Sequence, residues 1–230
     1  MTALDYLGLI PVGLADYPGR VAATLFTAGC SLACPYCHNP ELTKSIHPED
    51  FLPRDAVMQF LTQRQGLLSG VVITGGEPTL HPGLGELIDD IASMGYKVKL
   101  DTAGVHPRAL ERCLSRHQVS FVALDFKTSP EKYDLVGGQT GTGHRVLQSL
   151  ELLRRWKQQS SGEYEVRTVC APGIVDRNTL TKIRDLLQPD EHWRLIRFRP
   201  GRCLDPAIEQ RPPVSESLIR EIKSDSRKTP

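Results

Sequence analysis

Apolar residues in this chain come in two alternating arrangements, short continuous runs and stretches in which they recur every three or four positions. The runs at 21–26, 70–74, 97–101, 121–125, 164–169 and 193–199 have the length and β-branched content of buried strands. The periodic stretches between them predict amphipathic helices. Residues 54–65 put Val57, Phe60 and Leu61 on one face, and residues 83–93 do so with Leu84, Leu87, Ile88 and Ile91. Pro107 suits the first turn of a third helix whose stripe is Leu110, Cys113 and Leu114. A fourth helix carries Val146, Leu150 and Leu153, a fifth Leu180, Ile183 and Leu187, and a last one covers 214–223.

Six strand-then-helix units predict a parallel sheet with right-handed crossovers. Six falls short of a closed eight-unit barrel. The expected fold is therefore α/β, an open partial (β/α)6 barrel with a short C-terminal helix. One domain is expected over residues 1–230, with an N-terminal segment at 1–20, the barrel core at 21–202, and a C-terminal helix and tail at 203–230. The last seven residues are polar and expected to fray.

Composition narrows the classes of function. At 40% hydrophobic content, 230 residues can bury one full core. A formal charge of +1 provides no field to attract nucleic acid or an anionic membrane, and no apolar run approaches the roughly 20 residues of a membrane span. No basic segment precedes an apolar one at the N-terminus, so no export signal is visible. Six cysteines, three of them in one loop, read as a reducing compartment with a metal site, and a cytoplasmic protein is expected.

That loop is Cys30-Ser-Leu-Ala-Cys34-Pro-Tyr36-Cys37-His38-Asn39, directly after the first strand. Its C-x3-C-x2-C spacing lets three thiolates approach a soft metal centre and leaves an iron–sulfur cubane one ligand short of four. A Cys3His zinc site completed by His38, in a non-catalytic scaffold, is the competing arrangement. Cys34 to His38 also satisfies the C-x-x-C-H haem pattern, which the lack of an export signal disfavours.

Sites in parallel α/β folds form at the carboxyl ends of the strands. Read strand by strand, those ends are the cysteine loop, Thr74-Gly75-Gly76-Glu77-Pro78, Asp101-Thr102-Ala103-Gly104, Asp125-Phe126-Lys127, Arg167 with Cys170 to Gly173, and Arg199 to Arg202. Nearly every polar or glycine-rich motif falls on one rim, which predicts a single site. Cys113 reads as a buried small hydrophobe. Cys170 and Cys203 fall on the rim without C-x-x-C partners, and the histidines other than His38 show no ligand spacing.

The cysteine loop followed by Gly75-Gly76-Glu77-Pro78 resembles the radical S-adenosylmethionine enzymes, and the resemblance covers most of the chain. Asp16-Tyr-Pro-Gly-Arg20, His38-Asn39, and the D-T-x-G and D-x-K elements resemble the glycyl-radical-enzyme activating branch. Within it, Tyr36 to Leu42 and Arg197 to Pro206 are most similar to activating proteins of anaerobic ribonucleoside-triphosphate reductases. Activation of pyruvate formate-lyase is the alternative.

The resemblance implies that Cys30, Cys34 and Cys37 hold three irons of a [4Fe–4S] cluster, and that S-adenosylmethionine chelates the fourth. Reductive cleavage would then give a 5′-deoxyadenosyl radical that takes a glycine Cα hydrogen from a large partner enzyme, with a flavodoxin or ferredoxin as electron donor. Tyr36 offers a flat face to adenine, and His38 a hydrogen-bonding neighbour of the cluster or cofactor. Gly75 and Gly76 permit close approach, and Glu77 is implied near the methionyl amine. Arg167 and Lys127 are candidate contacts, Arg167 to the cofactor carboxylate. Asp101, Thr102 and Asp125 are implied around a monovalent cation. Asp16 is implied to face the substrate peptide.

Overall fold

The computed structural model describes residues 4–43, 51–115 and 118–225. Six strands run parallel: β2 (Ala22–Thr27), β4 (Gly70–Gly75), β5 (Lys97–Thr102), β6 (Val119–Asp125), β7 (Glu163–Cys170) and β8 (Trp193–Arg197). They neighbour one another in chain order, as right-handed strand–helix–strand units require. The helices are α1 (Arg54–Gln63), α2 (Leu84–Ser93), α3 (Pro107–Ser115), α4 (Thr142–Gln159), α5 (Arg177–Leu186) and α6 (Glu216–Asp225). All six predicted strands and all six predicted helices form within a few residues of their expected bounds.

Two strands were not foreseen. β1 (Tyr6–Gly13) pairs antiparallel with β2, and the two-residue β3 (Leu52–Pro53) pairs antiparallel with β1, giving the order β3-β1-β2-β4-β5-β6-β7-β8. Gly8, Pro11 and Gly13 interrupt the strand pattern of this segment, which proline tolerates because the outer edge of β1 beyond Leu7 has no ladder partner among the described residues. Residues 6–13 of the N-terminal segment thus contribute a strand to the sheet. β3 and β8 are the two edges, so the barrel stays open. Among the described residues no helix is long and apolar enough to cross a membrane. His47, His117 and the tail beyond residue 225 lie outside the described residues.

Strand alternation sorts the side chains into two layers. Val71, Ile73, Val98, Leu100, Val122, Leu124 and Val166 face outward and bury against Leu87, Ile88, Ile91, Leu110, Val146, Leu150 and Ile183 of the helices. The opposite face is different in character. At its base is a small plug in which Tyr17, Ala22 and Val72 pack with Phe121, and above it stand charged residues of β5, β6 and β7. The apolar jacket carries the fold, which leaves the inner face available for chemistry.

Helix α5 shows how a local signal sets an element's start. Asp176 is its N-cap, accepting from Thr179 N at 2.7 Å. Burial opposes its ionisation, but the Thr179 N–H and Lys132 lower its pKa to about 2. Asp176→Ala should cost about 1 kcal/mol in urea unfolding at neutral pH. Because the folded pKa lies below the unfolded one, that difference should shrink as pH falls from about 4 towards 2.

Candidate functional site

At the carboxyl ends of the strands a cleft of about 230 Å³ opens. Its walls include all three loop thiols together with Tyr36, His38, Gly75, Gly76, Asp101, Thr102, Asp125 and Lys127. These eleven predicted residues therefore share one cavity. Glu77, Arg167 and Asp16 do not line it.

The cysteine loop leaves β2 through Gly29, whose φ of +85° is one that glycine adopts freely. Gly29 N donates to Leu42 O at 2.7 Å, and Gly29 O accepts from Glu77 N at 2.8 Å. Gly76 is small because this contact is tight: a Cβ there would lie 2.0 Å from Gly29 O, and one on Gly75 would lie 2.3 Å from Thr27 O. Both glycines line the cleft, yet it is backbone against backbone that excludes a side chain. Further along, Ala33 N donates to Val136 O, Leu204 N to Cys37 O and Asp205 N to Pro35 O, at 2.9–3.1 Å. Burial raises the pKa of Cys30 and lifts that of Cys34 to about 12.

Tyr36 is 4% exposed and packs into the core below the loop, while its hydroxyl is buried without a hydrogen-bond partner among the described residues. His38 Nε2 donates to Arg199 O at 2.8 Å, and its ring stacks on Phe198. Residues 198 and 199, left without a role by the sequence, thus fix the imidazole. Among the described residues no three His, Cys, Asp or Glu side chains converge to hold one metal ion. All three thiols border the cleft.

Glu77 is 1% exposed and sits behind the wall. Its carboxylate accepts from Thr102 Oγ1 at 2.6 Å, Ala103 N at 2.8 Å, Thr79 N at 3.1 Å and the Thr79 hydroxyl. It ties the end of β4 to the end of β5. Thr102 Oγ1 in turn accepts from Gly104 N.

The floor is a chain of ion pairs. Arg167 bridges Asp101 Oδ2 at 3.0 Å and Asp125 Oδ1 at 2.8 Å, Lys127 pairs with Asp125 Oδ2 at 3.0 Å, and Lys99 pairs with Asp101 Oδ1 at 2.5 Å. Burial works against the charge on Asp125, but Arg167 and Lys127 outweigh it and hold the carboxyl well below its ordinary range. The same pairs outweigh burial to raise Lys127 and Arg167. The oxygens of Asp101 and Asp125, expected around a monovalent ion, are thus occupied by ammonium and guanidinium groups of the chain. Lys99 escaped the sequence reading, although its place two residues before Asp101 on a strand puts both side chains on one face.

Asp16 accepts from Thr24 Oγ1 at 3.1 Å, and its turn lies at the amino ends of the strands. Cys113 and Cys170 are buried, while Cys203 lies buried beside the segment that holds Cys37.

The family model described as the radical SAM superfamily matches residues 24–183. A Methanocaldococcus jannaschii protein named as a candidate glycyl-radical enzyme activating enzyme is 25% identical over 226 residues, 94% of this chain and 88% of its own length. The pyruvate formate-lyase-activating enzyme of Staphylococcus aureus is 29% identical over 188 residues, 76% of this chain and 72% of its own. Among solved structures, a radical SAM methyltransferase from Sphaerobacter thermophilus superposes with a TM-score of 0.65 at 16% identity, covering 95% of this chain and 67% of that one.

Gly76→Ala should push the Cys30 end of the loop away from β4, cost about 1–3 kcal/mol in denaturant unfolding, and lower the iron retained after anaerobic reconstitution. Iron and acid-labile sulfide per chain are the quantities to measure.

Proposed function

Because the chain belongs to the radical SAM superfamily, whose cofactors are a [4Fe–4S] cluster and S-adenosylmethionine, we propose that it is an activase that removes a glycine Cα hydrogen from anaerobic ribonucleoside-triphosphate reductase. The observation that carries the proposal is the near full-length similarity to a relative named for glycyl-radical enzyme activation. The cleft adds support. It opens at the rim of an unclosed barrel, where a peptide loop of a large partner has access. The similarity of residues 36–42 and 197–206 to the reductase-activating proteins favours that partner, and the staphylococcal relative keeps a formate-lyase-type partner as the second choice.

Features of the site fit both cofactors. Three thiols border the same cleft, and three cysteines leave one iron of a cubane without a protein ligand. The unpaired Tyr36 hydroxyl is a buried polar group awaiting a partner. When bound, the cluster and S-adenosylmethionine supply one-electron cleavage of a carbon–sulfur bond and abstraction of a hydrogen atom. The chain's residues place these groups. Cys30, Cys34 and Cys37 would hold irons, Tyr36 and the glycine edge of β4 would confine the cofactor, and Lys127, paired with Asp125, would face an anionic group of it. Asp101, Thr102 and Asp125 keep the floor rigid through their own bonds, with Glu77 and Arg167 orienting them from behind. Asp16, expected to face the substrate peptide, instead bonds Thr24 at the amino ends of the strands and is given no role at the cleft, while a flavodoxin or ferredoxin is proposed to deliver the electron.

A zinc scaffold is the rival class. It would draw on His38, which is already committed to Arg199 O and the Phe198 ring.

Anaerobically reconstituted, reduced protein should form 5′-deoxyadenosine from S-adenosylmethionine, and the Cys30/Cys34/Cys37→Ala variant should form none. Added anaerobic reductase should acquire a glycyl radical signal in electron paramagnetic resonance, and added formate-lyase should not. Turnover by the triple variant would defeat the catalytic assignment, and a radical on formate-lyase alone would reverse the choice of partner.

A further inference from the structure

Lys99 stands beneath the cleft in the middle of β5 with 1% of its side chain exposed. Its strand neighbours Val98 and Leu100 turn outward into the apolar jacket, while Lys99 shares the inner face with Asp101. In register beside it are Val72 on β4 and Phe121 on β6, and its ammonium lies 5.9 Å from the Phe121 ring centre. The one acceptor shown for it is Asp101 Oδ1, at 2.5 Å. With 1% of its side chain exposed, this ammonium relies on that carboxylate for its stabilisation.

Such a pair is a poor device for stability. Taking two charges from water is costly, and an apolar residue at the same place is often neutral or better for the fold. Val72 and Phe121 already make the surroundings suitable for one. A cation here therefore needs a reason outside packing, and the charges of the floor supply it. Asp101, Asp125 and, behind Thr102, Glu77 present three carboxylates, and the bonds of Glu77 are from neutral donors. Against them stand Lys99, Lys127 and Arg167. Glu165, also on the inner face of β7, has Arg194 at 3.8 Å and His192 at 3.5 Å. Without Lys99 these three carboxylates, one of them behind the wall, would face two cations, leaving one negative charge in excess beneath a carboxylate that enters the cleft.

We infer that Lys99 is a positioning residue for S-adenosylmethionine: it holds Asp101 from below and keeps the floor from turning negative under the cofactor's carboxylate, so that no monovalent metal ion is needed there. The inference rests on the cleft being the cofactor site, and is independent of which protein receives the radical.

The test is equilibrium dialysis of S-adenosylmethionine with the reconstituted protein, in potassium chloride and in choline chloride at equal ionic strength. Wild-type affinity should agree within about twofold between the two salts, whereas Lys99→Met should bind about tenfold more weakly in choline chloride and regain most of that loss in potassium chloride, where a small cation can take the vacated place. Lys99→Arg, which keeps the charge, should stay close to wild type. Wild-type binding that requires potassium overturns the inference, and needs no variant to fold. Lys99→Met binding as tightly as wild type in both salts overturns it as well. Circular dichroism and the melting temperature separate a folded variant that binds weakly from a misfolded one. Wild-type protein that carries a full cluster and binds no cofactor overturns the inference together with the cofactor assignment, which distinguishes that failure from a potassium requirement.

Discussion

A loop that must present three thiols cannot also hydrogen-bond itself into a ladder. Residues 28–38 lie outside every strand and α-helix, yet much of this backbone is shielded from water and needs partners. The partners come from far along the chain: Leu42, Glu77, Val136, Leu204 and Asp205. His81 adds a bond from its Nε2 to Ala28 O. Much else follows from these bonds. Gly75, Gly76 and Gly137 lack side chains because their backbones pack against residues 27–33, and at Gly137 a Cβ would lie 2.6 Å from Ala33 N.

The sheet keeps stability and chemistry on opposite faces. Outward positions are aliphatic and locked under the helices, so the inner face can hold a row of alternating charges without threatening the core. Each buried charge there has an opposite neighbour, which fixes the side chains of the floor in one arrangement before anything binds. Glu77 follows a different logic. Its four donors are neutral, two on Thr79 close in sequence and two at the end of the adjoining strand, so it acts as a joint between β4 and β5.

The parallel strands were legible because each is a short apolar run ending in glycine or a polar motif, and the position of the site followed from those ends alone. β1 was not, because glycine and proline disguise an edge strand whose order depends on pairing with β2. Three side chains show the limit of motif logic. The type and placement of Glu77, Arg167 and Lys99 could be read, but not their direction. Glu77 and Arg167 turned to partners within the chain, and Lys99, unremarkable in sequence, ended inside the barrel. Direction depends on which neighbours arrive from other strands, and those are fixed only by the register.

The bonds from Leu204 and Asp205 to Cys37 and Pro35 join almost the two ends of the described chain. On a ribosome the loop therefore emerges long before the segment that completes its support. At roughly 5–20 residues per second the interval is on the order of ten to thirty seconds, during which the three cysteines lie in a nascent chain without their final backbone partners. The loop consequently reaches its finished geometry only once the chain beyond residue 205 has been made, so its support is among the last parts of the fold to be completed.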